Sequence, residues 1–177
     1  MKIALIGTHG TGKTTTVHEI IAALKKNSVD AGYLEETARR CPLPINEDRT
    51  KQSQRWIFYE HLVKEIELEP KSDVLVCDRS LLDIYAYYFA KFGENKSMEK
   101  VIEENMPTYS LLFYFPLDKF NKRLQKDKAR STEETFQKEI DVAILKLFEK
   151  FNVKYSIYND LESAFSEILS ILKIKKS

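Results

Sequence analysis

The chain has 177 residues, the size of one domain, and its 43% hydrophobic and 31% charged residues are typical of a soluble globular protein. Its 28 basic and 27 acidic residues leave a formal net charge of +1, so any attraction to nucleic acid or to an anionic membrane has to be local. No apolar run approaches the roughly 20 residues that a membrane span needs, and no leader-like segment follows Met1, so we expect a cytoplasmic protein without a membrane partner.

The predicted elements alternate between short apolar strands and longer helices. Strands are predicted at residues 2–6, 31–36, 73–78, 109–115 and 154–158. Helices are predicted at residues 13–26, 46–69, 81–92, 117–128, 132–151 and 161–173. Strands separated by helices favour an α/β fold, in which a parallel sheet is covered by helices on both faces. The absence of a linker or repeat predicts a single domain over residues 1–177.

A glycine-rich loop lies between the first predicted strand and the first predicted helix. The sequence GTHGTGKT (7–14) fits the phosphate-binding pattern G-x-x-x-x-G-K-[ST] with Gly7, Gly12, Lys13 and Thr14. Its backbone N–H groups can surround a phosphate, while Lys13 can bridge the β- and γ-phosphates and the Thr14 hydroxyl can bind Mg²⁺. The loop therefore predicts binding of a nucleoside triphosphate such as ATP with Mg²⁺, and the remaining loop residues expected to contact it are His9, Gly10, Thr11 and Thr15.

Residues further along the chain narrow the class of P-loop protein. A GTPase needs an Asn-Lys-x-Asp guanine reader, and the nearest string, NKRL at residues 121–124, lacks the aspartate. A motor or transporter ATPase usually ends its third strand in Asp-Glu, whereas here Asp78 is followed by Arg79. The class that remains is the small kinases, which pass the phosphoryl group to a bound acceptor.

Charged residues follow two of the predicted strands, at the edge of the sheet where ligands bind. We expect Asp78 beside Thr14 and the metal, and Arg79 facing the phosphates. The second predicted strand ends with Glu35 and Glu36, and alternation turns only one of them towards the crevice. Glu36 is the first choice and Glu35 the second for the carboxylate that orients or deprotonates the acceptor hydroxyl.

Three further polar side chains are candidates for binding the acceptor. Arg39 lies three residues after Glu36, on the same face of any helical turn, and is a candidate to hold the acceptor. Gln54 and Arg55, on the second predicted helix, can read the edge of a nucleobase.

The order of these motifs resembles the small P-loop kinases of nucleosides and nucleotides, which include thymidylate kinases and deoxynucleoside kinases. EETAR (35–39) and DRSLLDIYAYY (78–88) are most similar to the nicotinamide riboside kinase domain of bacterial NAD-synthesis regulators. Thymidylate kinases typically carry Arg-Glu-Pro in place of EET and Asp-Arg-Tyr in place of DRS, which argues against thymidylate as the acceptor. The resemblance implies the P-loop NTPase fold with a five-stranded parallel sheet, a Mg²⁺–ATP donor and, often, a homodimer. It also implies that Asp83 holds a ribose hydroxyl.

A basic segment at residues 117–131 is the candidate for the mobile lid of these kinases. Arginines that close over the transferring phosphoryl group stabilise the negative charge of the transition state. By the resemblance, Arg130 corresponds to the lid arginine, and Arg123 is the second candidate. A solvated charged helix and a patch for nucleic-acid phosphates are the alternatives for this segment.

The sequence therefore predicts an ATP-dependent kinase of a small-molecule acceptor, either a nucleoside or a nucleoside monophosphate. Arg39, Arg40 and Arg79 near the crevice favour a monophosphate, whereas the motif likeness favours a nucleoside, and the choice stays open. A 5′-hydroxyl polynucleotide kinase and a non-catalytic ATP-sensing module are the alternatives.

Overall fold

A single parallel sheet organises the molecule. The computed structural model describes the backbone of residues 1–120 and 131–176 and the side chains of residues 1–120 and 134–172. The strands lie in the order β2-β3-β1-β4-β5, and every pairing between them is parallel. They are β1 (Lys2–Ile6), β2 (Ala31–Leu34), β3 (Val74–Asp78), β4 (Tyr109–Tyr114) and β5 (Ser156–Ile157). The predicted α/β fold with a five-stranded parallel sheet is confirmed.

Helices cover both faces of this sheet. Those described are α1 (Lys13–Lys26), α2 (Lys51–Leu68), α3 (Leu81–Phe92), α4 (Lys96–Asn105), α5 (Leu117–Phe120), α6 (Ser131–Lys150) and α7 (Leu161–Lys176). Helix α4 was not predicted from the sequence. The predicted helix at residues 117–128 is described only as far as Phe120, and the rest of it lies outside the described residues.

Helix α2 begins later than predicted. The expected start at Asn46 is instead a short 3₁₀ turn, Asn46–Asp48, and Asn46 has a positive φ of 56°. The helix begins after Thr50, whose side chain accepts a hydrogen bond from the Ser53 backbone while the Ser53 side chain accepts one from the Thr50 backbone. This reciprocal capping satisfies backbone donors that a helix end leaves free, so it fixes where α2 starts.

The apolar core has two parts, one on each face of the sheet. Alternate residues of β1 point to opposite faces, so Ile3 and Leu5 pack against α1 and α7, whereas Ala4 and Ile6 face α2, α3 and α6. All four of these β1 side chains are fully buried, as expected of a parallel strand covered on both sides. No helix among the described residues is long and apolar enough to cross a membrane.

Strand register determines which loops meet at the carboxyl edge of the sheet. β1 pairs with β3 so that Leu5 lies opposite Asp78, and the loop after β1 therefore lies beside the residues that follow β3. Strand β2, predicted to reach residue 36, ends at Leu34 because the chain turns into a 3₁₀ turn, Thr37–Arg40. Glu35 and Glu36 thus lie in the connection after β2, next to the same edge.

Candidate active site

The loop between β1 and α1 depends on glycine for its backbone conformation. Gly10 and Gly12 have φ angles of 77° and 89°, in the left-handed region that costs other residues energy. Gly7 has no room for a side chain, because a Cβ there would lie 2.9 Å from the Phe115 carbonyl oxygen. Helix α1 begins at Lys13, directly after the loop, so its positive end faces the same position. This arrangement fits a phosphate group.

The Lys13 ammonium is buried within this loop. Its Nζ donates hydrogen bonds to the Thr8 carbonyl oxygen, at 2.5 Å, and to Thr11 Oγ1, at 3.1 Å. Burial, followed by the charge of Arg79, lowers the pKa of Lys13 from 10.5 to about 7. A buried cation whose hydrogen-bond partners are neutral is stabilised by an added anion, so this lysine fits a polyphosphate ligand.

Thr14 and Asp78 form a pair at the edge of the loop. The Thr14 hydroxyl donates to Asp78 Oδ2 at 2.6 Å, and Arg39 Nη2 donates to the same hydroxyl at 3.2 Å. Within the described ranges, no group of three or more His, Cys, Asp and Glu side chains could hold a metal ion. One carboxylate and one hydroxyl do fit Mg²⁺, which prefers oxygen ligands and keeps several waters when bound.

Arg79 links the glycine-rich loop to the chain segment that follows β2. Its Nε donates to Glu36 Oε1 at 2.7 Å, and its Nη1 donates to the Gly7 carbonyl oxygen at 3.0 Å and to Asp83 Oδ2 at 3.2 Å. The guanidinium also lies 5.1 Å from the centre of the Tyr87 ring. Its backbone φ is 102°, an unfavourable value that these side-chain contacts maintain.

Glu36 lies between two arginines and is ionised at neutral pH. Its Oε1 accepts from Arg79, and its Oε2 accepts from Arg39 Nε at 3.0 Å. Burial alone would raise the pKa of Glu36, but the charge and hydrogen bond of Arg79 and the hydrogen bond of Arg39 lower it from 4.5 to about 2. Such a carboxylate is a weak base that orients a hydroxyl group by accepting its hydrogen bond.

The two glutamates after β2 face in different directions. Glu36 lines the pocket described below, whereas Glu35 forms an ion pair with Arg40 at 3.3 Å and lines a separate surface groove. The side chains of Glu35 and Arg40 are 48% and 64% exposed, so neither is held at the site. Between the two predicted candidates, the geometry favours Glu36.

Asp83 lies between Arg79 and the start of α3. It is completely buried, and its Oδ1 accepts from the Ser80 backbone at 2.6 Å and from Ser80 Oγ at 3.0 Å, which caps α3. Its Oδ2 accepts from Arg79. With both oxygens engaged and no exposed surface, Asp83 holds Arg79 and the start of α3. None of these contacts tests the ribose contact that the resemblance implies, which stays a prediction.

A pocket of about 50 Å³ adjoins Glu36 and Arg79 and opens to solvent. Its walls also include Gln54 of α2, and its apolar part consists of Ala38, Ile45, Ile57, Ile84 and Tyr87. Gln54 is 3% exposed, and its side-chain amide makes no hydrogen bond within the described part of the chain. Arg55 is exposed and does not line the pocket, so the structure does not bring it to the site as predicted.

Tyr87, His9 and Asn46 line the pocket although sequence reasoning gave none of them this place. The Tyr87 hydroxyl accepts from the His9 backbone at 3.1 Å, so α3 contacts the glycine-rich loop directly. A signal for Tyr87 was present in the sequence, because residues 80, 83, 84 and 87 share one helix face. The place of Asn46 in the pocket was missed because the sequence predicted that a helix starts at this residue.

The remaining predicted residues divide into two groups. Thr11 is buried against Lys13, whereas Gly10 and Thr15 are exposed at the loop. Arg123 and Arg130, with most of the predicted lid, lie outside the described residues.

Comparisons with known proteins agree with this architecture. A family model described as an AAA domain (AAA_28) matches residues 2–163. A structure of deoxyadenosine kinase from M. mycoides with the products dCMP and a flexible dCDP has a TM-score of 0.64 and 16% identity, covering 98% of this chain and 99% of that chain. A structure of the same enzyme with bound dATP has a TM-score of 0.61 and 15% identity, covering 98% and 100%. No curated protein matches the chain.

At identities this low, the structural likeness shows a shared fold. The family match, in contrast, extends over nearly the whole chain and includes the glycine-rich loop. The expected resemblance to small P-loop kinases is thereby confirmed at the level of the fold: this chain belongs to the AAA domain family and shares the fold of deoxyadenosine kinase.

Proposed function

We propose that the protein transfers the γ-phosphoryl group of ATP to a hydroxyl group of a nucleoside. The observation that carries this proposal is the position of Arg79, which joins Gly7 of the phosphate-binding loop to Glu36 at the pocket. A carboxylate between a triphosphate site and an acceptor pocket is what phosphoryl transfer to a hydroxyl requires. The fold shared with deoxyadenosine kinase supports the same reaction class.

Each residue of the site has a distinct part in this reaction. The loop N–H groups and Lys13 bind the phosphates, and Arg79 places a positive charge beside the group in transfer. Glu36 orients the acceptor hydroxyl, whose oxygen bonds to the γ-phosphorus as the bond to the β,γ-bridging oxygen breaks. Thr14 and Asp78 would hold Mg²⁺, which neutralises phosphate charge. Because of its low pKa, Glu36 takes up the proton only as the new bond forms.

The geometry favours a nucleoside over a nucleoside monophosphate. The three arginines that suggested a phosphate-bearing acceptor already have partners within the chain: Arg79 bonds to Glu36, Asp83 and Gly7, Arg40 to Glu35, and Arg39 to Glu36 and Thr14. The rest of the pocket is apolar apart from neutral side chains such as Gln54 and Asn46. An uncharged sugar and a base fit such walls, with the Gln54 amide available to a base edge.

A coupled assay of ADP release tests the proposal directly. The protein with Mg²⁺–ATP is screened against deoxynucleosides, ribonucleosides including nicotinamide riboside, nucleoside monophosphates and a 5′-hydroxyl oligonucleotide. We expect turnover with a nucleoside. Turnover with monophosphates alone would correct the acceptor class, and turnover with the oligonucleotide alone would indicate a polynucleotide kinase. ATP binding without turnover on any acceptor would contradict the kinase assignment and favour an ATP sensor.

A further inference from the structure

A group of polar side chains is buried between α2 and the sheet, outside the pocket. Lys2, His61, Glu65 and Tyr109 are 2%, 0%, 1% and 8% exposed. Burying ionised groups is costly, and apolar side chains of similar size would fill the same space with equal or greater stability. A cluster of this composition therefore calls for an explanation other than stability.

Glu65 is the centre of this cluster. Its Oε2 accepts a hydrogen bond from Lys2 Nζ at 2.9 Å, and its Oε1 accepts one from the Tyr109 hydroxyl. The same Oε1 lies 3.2 Å from His61 Nε2, which is fully buried and not aligned for a hydrogen bond. The Lys2 ammonium also lies 4.4 Å from the centre of the Tyr109 ring. These contacts link α2 to the first residues of β1 and β4.

Two arms of the cluster reach the loops that carry the site. On one side, the other ring nitrogen of His61, Nδ1, lies 2.9 Å from Thr37 Oγ1, and Thr37 directly follows Glu36. On the other side, the Tyr109 hydroxyl accepts a hydrogen bond from the Leu81 backbone at 3.1 Å. Leu81 comes two residues after Arg79. Glu36 and Arg79 thus each have a near neighbour in the chain that contacts the cluster: Thr37 contacts His61, and Leu81 bonds to Tyr109.

We propose that His61, Glu65 and Tyr109 are positioning residues, which set the separation of Glu36 and Arg79 through Thr37 and Leu81. Neither loop belongs to α2, and beyond the paired ends of β2 and β3, where Leu34 lies opposite Cys77, a hydrogen bond from Arg79 to Glu36 joins the two loops. A common anchor restricts how far the loops move apart. The kinetic consequence of this proposal rests on the proposed kinase function, whereas its structural consequence does not.

Tyr85 provides a closely matched control within α3. Its hydroxyl accepts a hydrogen bond from the Asn95 backbone at 2.8 Å and donates one to Glu99 Oε1 at 2.7 Å. Tyr109 makes the same two kinds of bond, to a backbone N–H and to a glutamate. Both rings belong to the same part of the core, but Tyr85 leads to the start of α4 and does not line the pocket.

The test compares Tyr109→Phe with Tyr85→Phe in the full chain. We expect similar falls in melting temperature, since each variant loses one buried hydroxyl. Only Tyr109→Phe should lower kcat, by about tenfold, because small displacements of reacting groups are costly in rate. The KM for ATP should stay unchanged. Equal kcat values in the two variants, whether both unchanged or both lowered, would overturn the proposal.

A second pair of variants tests the other arm. Thr37→Val removes the hydroxyl that meets His61, and Thr37→Ser keeps it. We expect kcat to fall in Thr37→Val and to be restored in Thr37→Ser. Loss of kcat in both variants, or in neither, would contradict a positioning role for His61.

A readout without turnover separates this inference from the proposed function. The nuclear magnetic resonance signal of the Arg79 Nε–H group reports its bond to Glu36 directly. It should shift and exchange faster with water in Tyr109→Phe and Thr37→Val, and stay unchanged in Tyr85→Phe. If the wild-type protein shows no kinase activity but these shifts occur, the proposed function fails and the structural part of the inference stands. An unchanged Arg79 signal in every variant would overturn the inference even in an active kinase.

Discussion

Arg79 and Glu36 are 43 residues apart in the chain, yet Arg79 Nε and Glu36 Oε1 are separated by only 2.7 Å. The same guanidinium donates to the Gly7 carbonyl oxygen, so it contacts both the phosphate-binding loop and the carboxylate at the pocket. The phosphate-binding loop and the pocket are therefore joined by one side chain.

Replacing Lys13 should strongly reduce phosphoryl transfer without unfolding the protein. In Lys13→Met the phosphates lose a buried cation, and removal of one such charge-stabilising group typically lowers kcat by about 10²–10³-fold. The melting temperature should not fall, because the variant no longer buries an ammonium among neutral partners. ADP release and thermal unfolding measure both effects. Normal turnover in Lys13→Met would refute the role of the loop.

The two adjacent glutamates should behave differently. Glu36→Gln keeps the shape of the side chain but removes the carboxylate that we propose orients the acceptor, so kcat should fall by about 10²-fold or more. Glu35→Gln, a change of the same chemistry one residue away, should leave kcat unchanged because Glu35 faces a surface groove. Steady-state kinetics of both variants with the best acceptor provide the measurement. A larger effect at Glu35 would reverse the assignment.

Gln54 and Arg55 form a second matched pair of neighbours. Gln54→Leu removes an amide that lines the pocket, and the KM for the nucleoside should rise by about tenfold, the effect of losing one hydrogen bond to a base. Arg55→Gln should leave this KM unchanged, because Arg55 is exposed and outside the pocket. Acceptor saturation curves distinguish the two. Equal KM values for both variants would exclude Gln54 from acceptor binding.

Because of the low pKa of Glu36, the free energy of unfolding should depend on pH in the acid range. The folded-state pKa of about 2 lies below the ordinary value of 4.5, so the unfolded chain binds the proton more readily. At pH values above the unfolded-state pKa, the ionised carboxylate thus stabilises the fold by about 3 kcal/mol. This contribution is lost as the pH falls from 4.5 towards 2.

Urea unfolding of the wild type and of Glu36→Gln at neutral pH and at about pH 3 measures this dependence. The difference in unfolding free energy between the two proteins should shrink at the lower pH. A difference that does not change with pH would show that Glu36 is not held ionised by its two arginines.

Binding of ATP should be accompanied by proton uptake at mildly alkaline pH. The pKa of Lys13 is lowered to about 7 in the protein alone, and phosphate groups beside the ammonium raise it again. At about pH 8, ATP binding should therefore take up close to one proton, and at about pH 6 almost none. Calorimetric titrations in two buffers of different ionisation enthalpy measure the uptake. The same uptake at both pH values would exclude Lys13 as its source.

The strands and the phosphate-binding loop could be predicted because their signals are local. A strand buried on both faces is a short run of apolar residues, as in β1 and β3, and the loop has a fixed pattern of glycines. Helix α4 carries a weaker signal, although Asn95 caps it and Met98 and Ile102 bury one face. Charged side chains separate the few apolar residues of this ten-residue helix, so its apolar pattern is short.

The candidate site was less predictable because its details depend on tertiary contacts. Alternation along β2 could not decide between Glu35 and Glu36, because the strand ends at Leu34 and a 3₁₀ turn redirects the chain. Asp83 caps α3 by accepting a hydrogen bond from the Ser80 backbone, a local role that its motif did not reveal. The positive φ of Arg79 is imposed by partners far away in the sequence.

The division of the core between the two sheet faces has a consequence for how such proteins diversify. Every apolar side chain of the pocket wall belongs to the core cluster on the α2, α3 and α6 face or packs against it. Helix α1, which follows the phosphate-binding loop, rests on the opposite cluster through Val17, Ile20 and Leu24. Mutations of the aliphatic side chains of the pocket wall should therefore leave the packing of α1 intact. Under the proposed function, the acceptor preference of the pocket can therefore change through these side chains while the packing of α1 is kept.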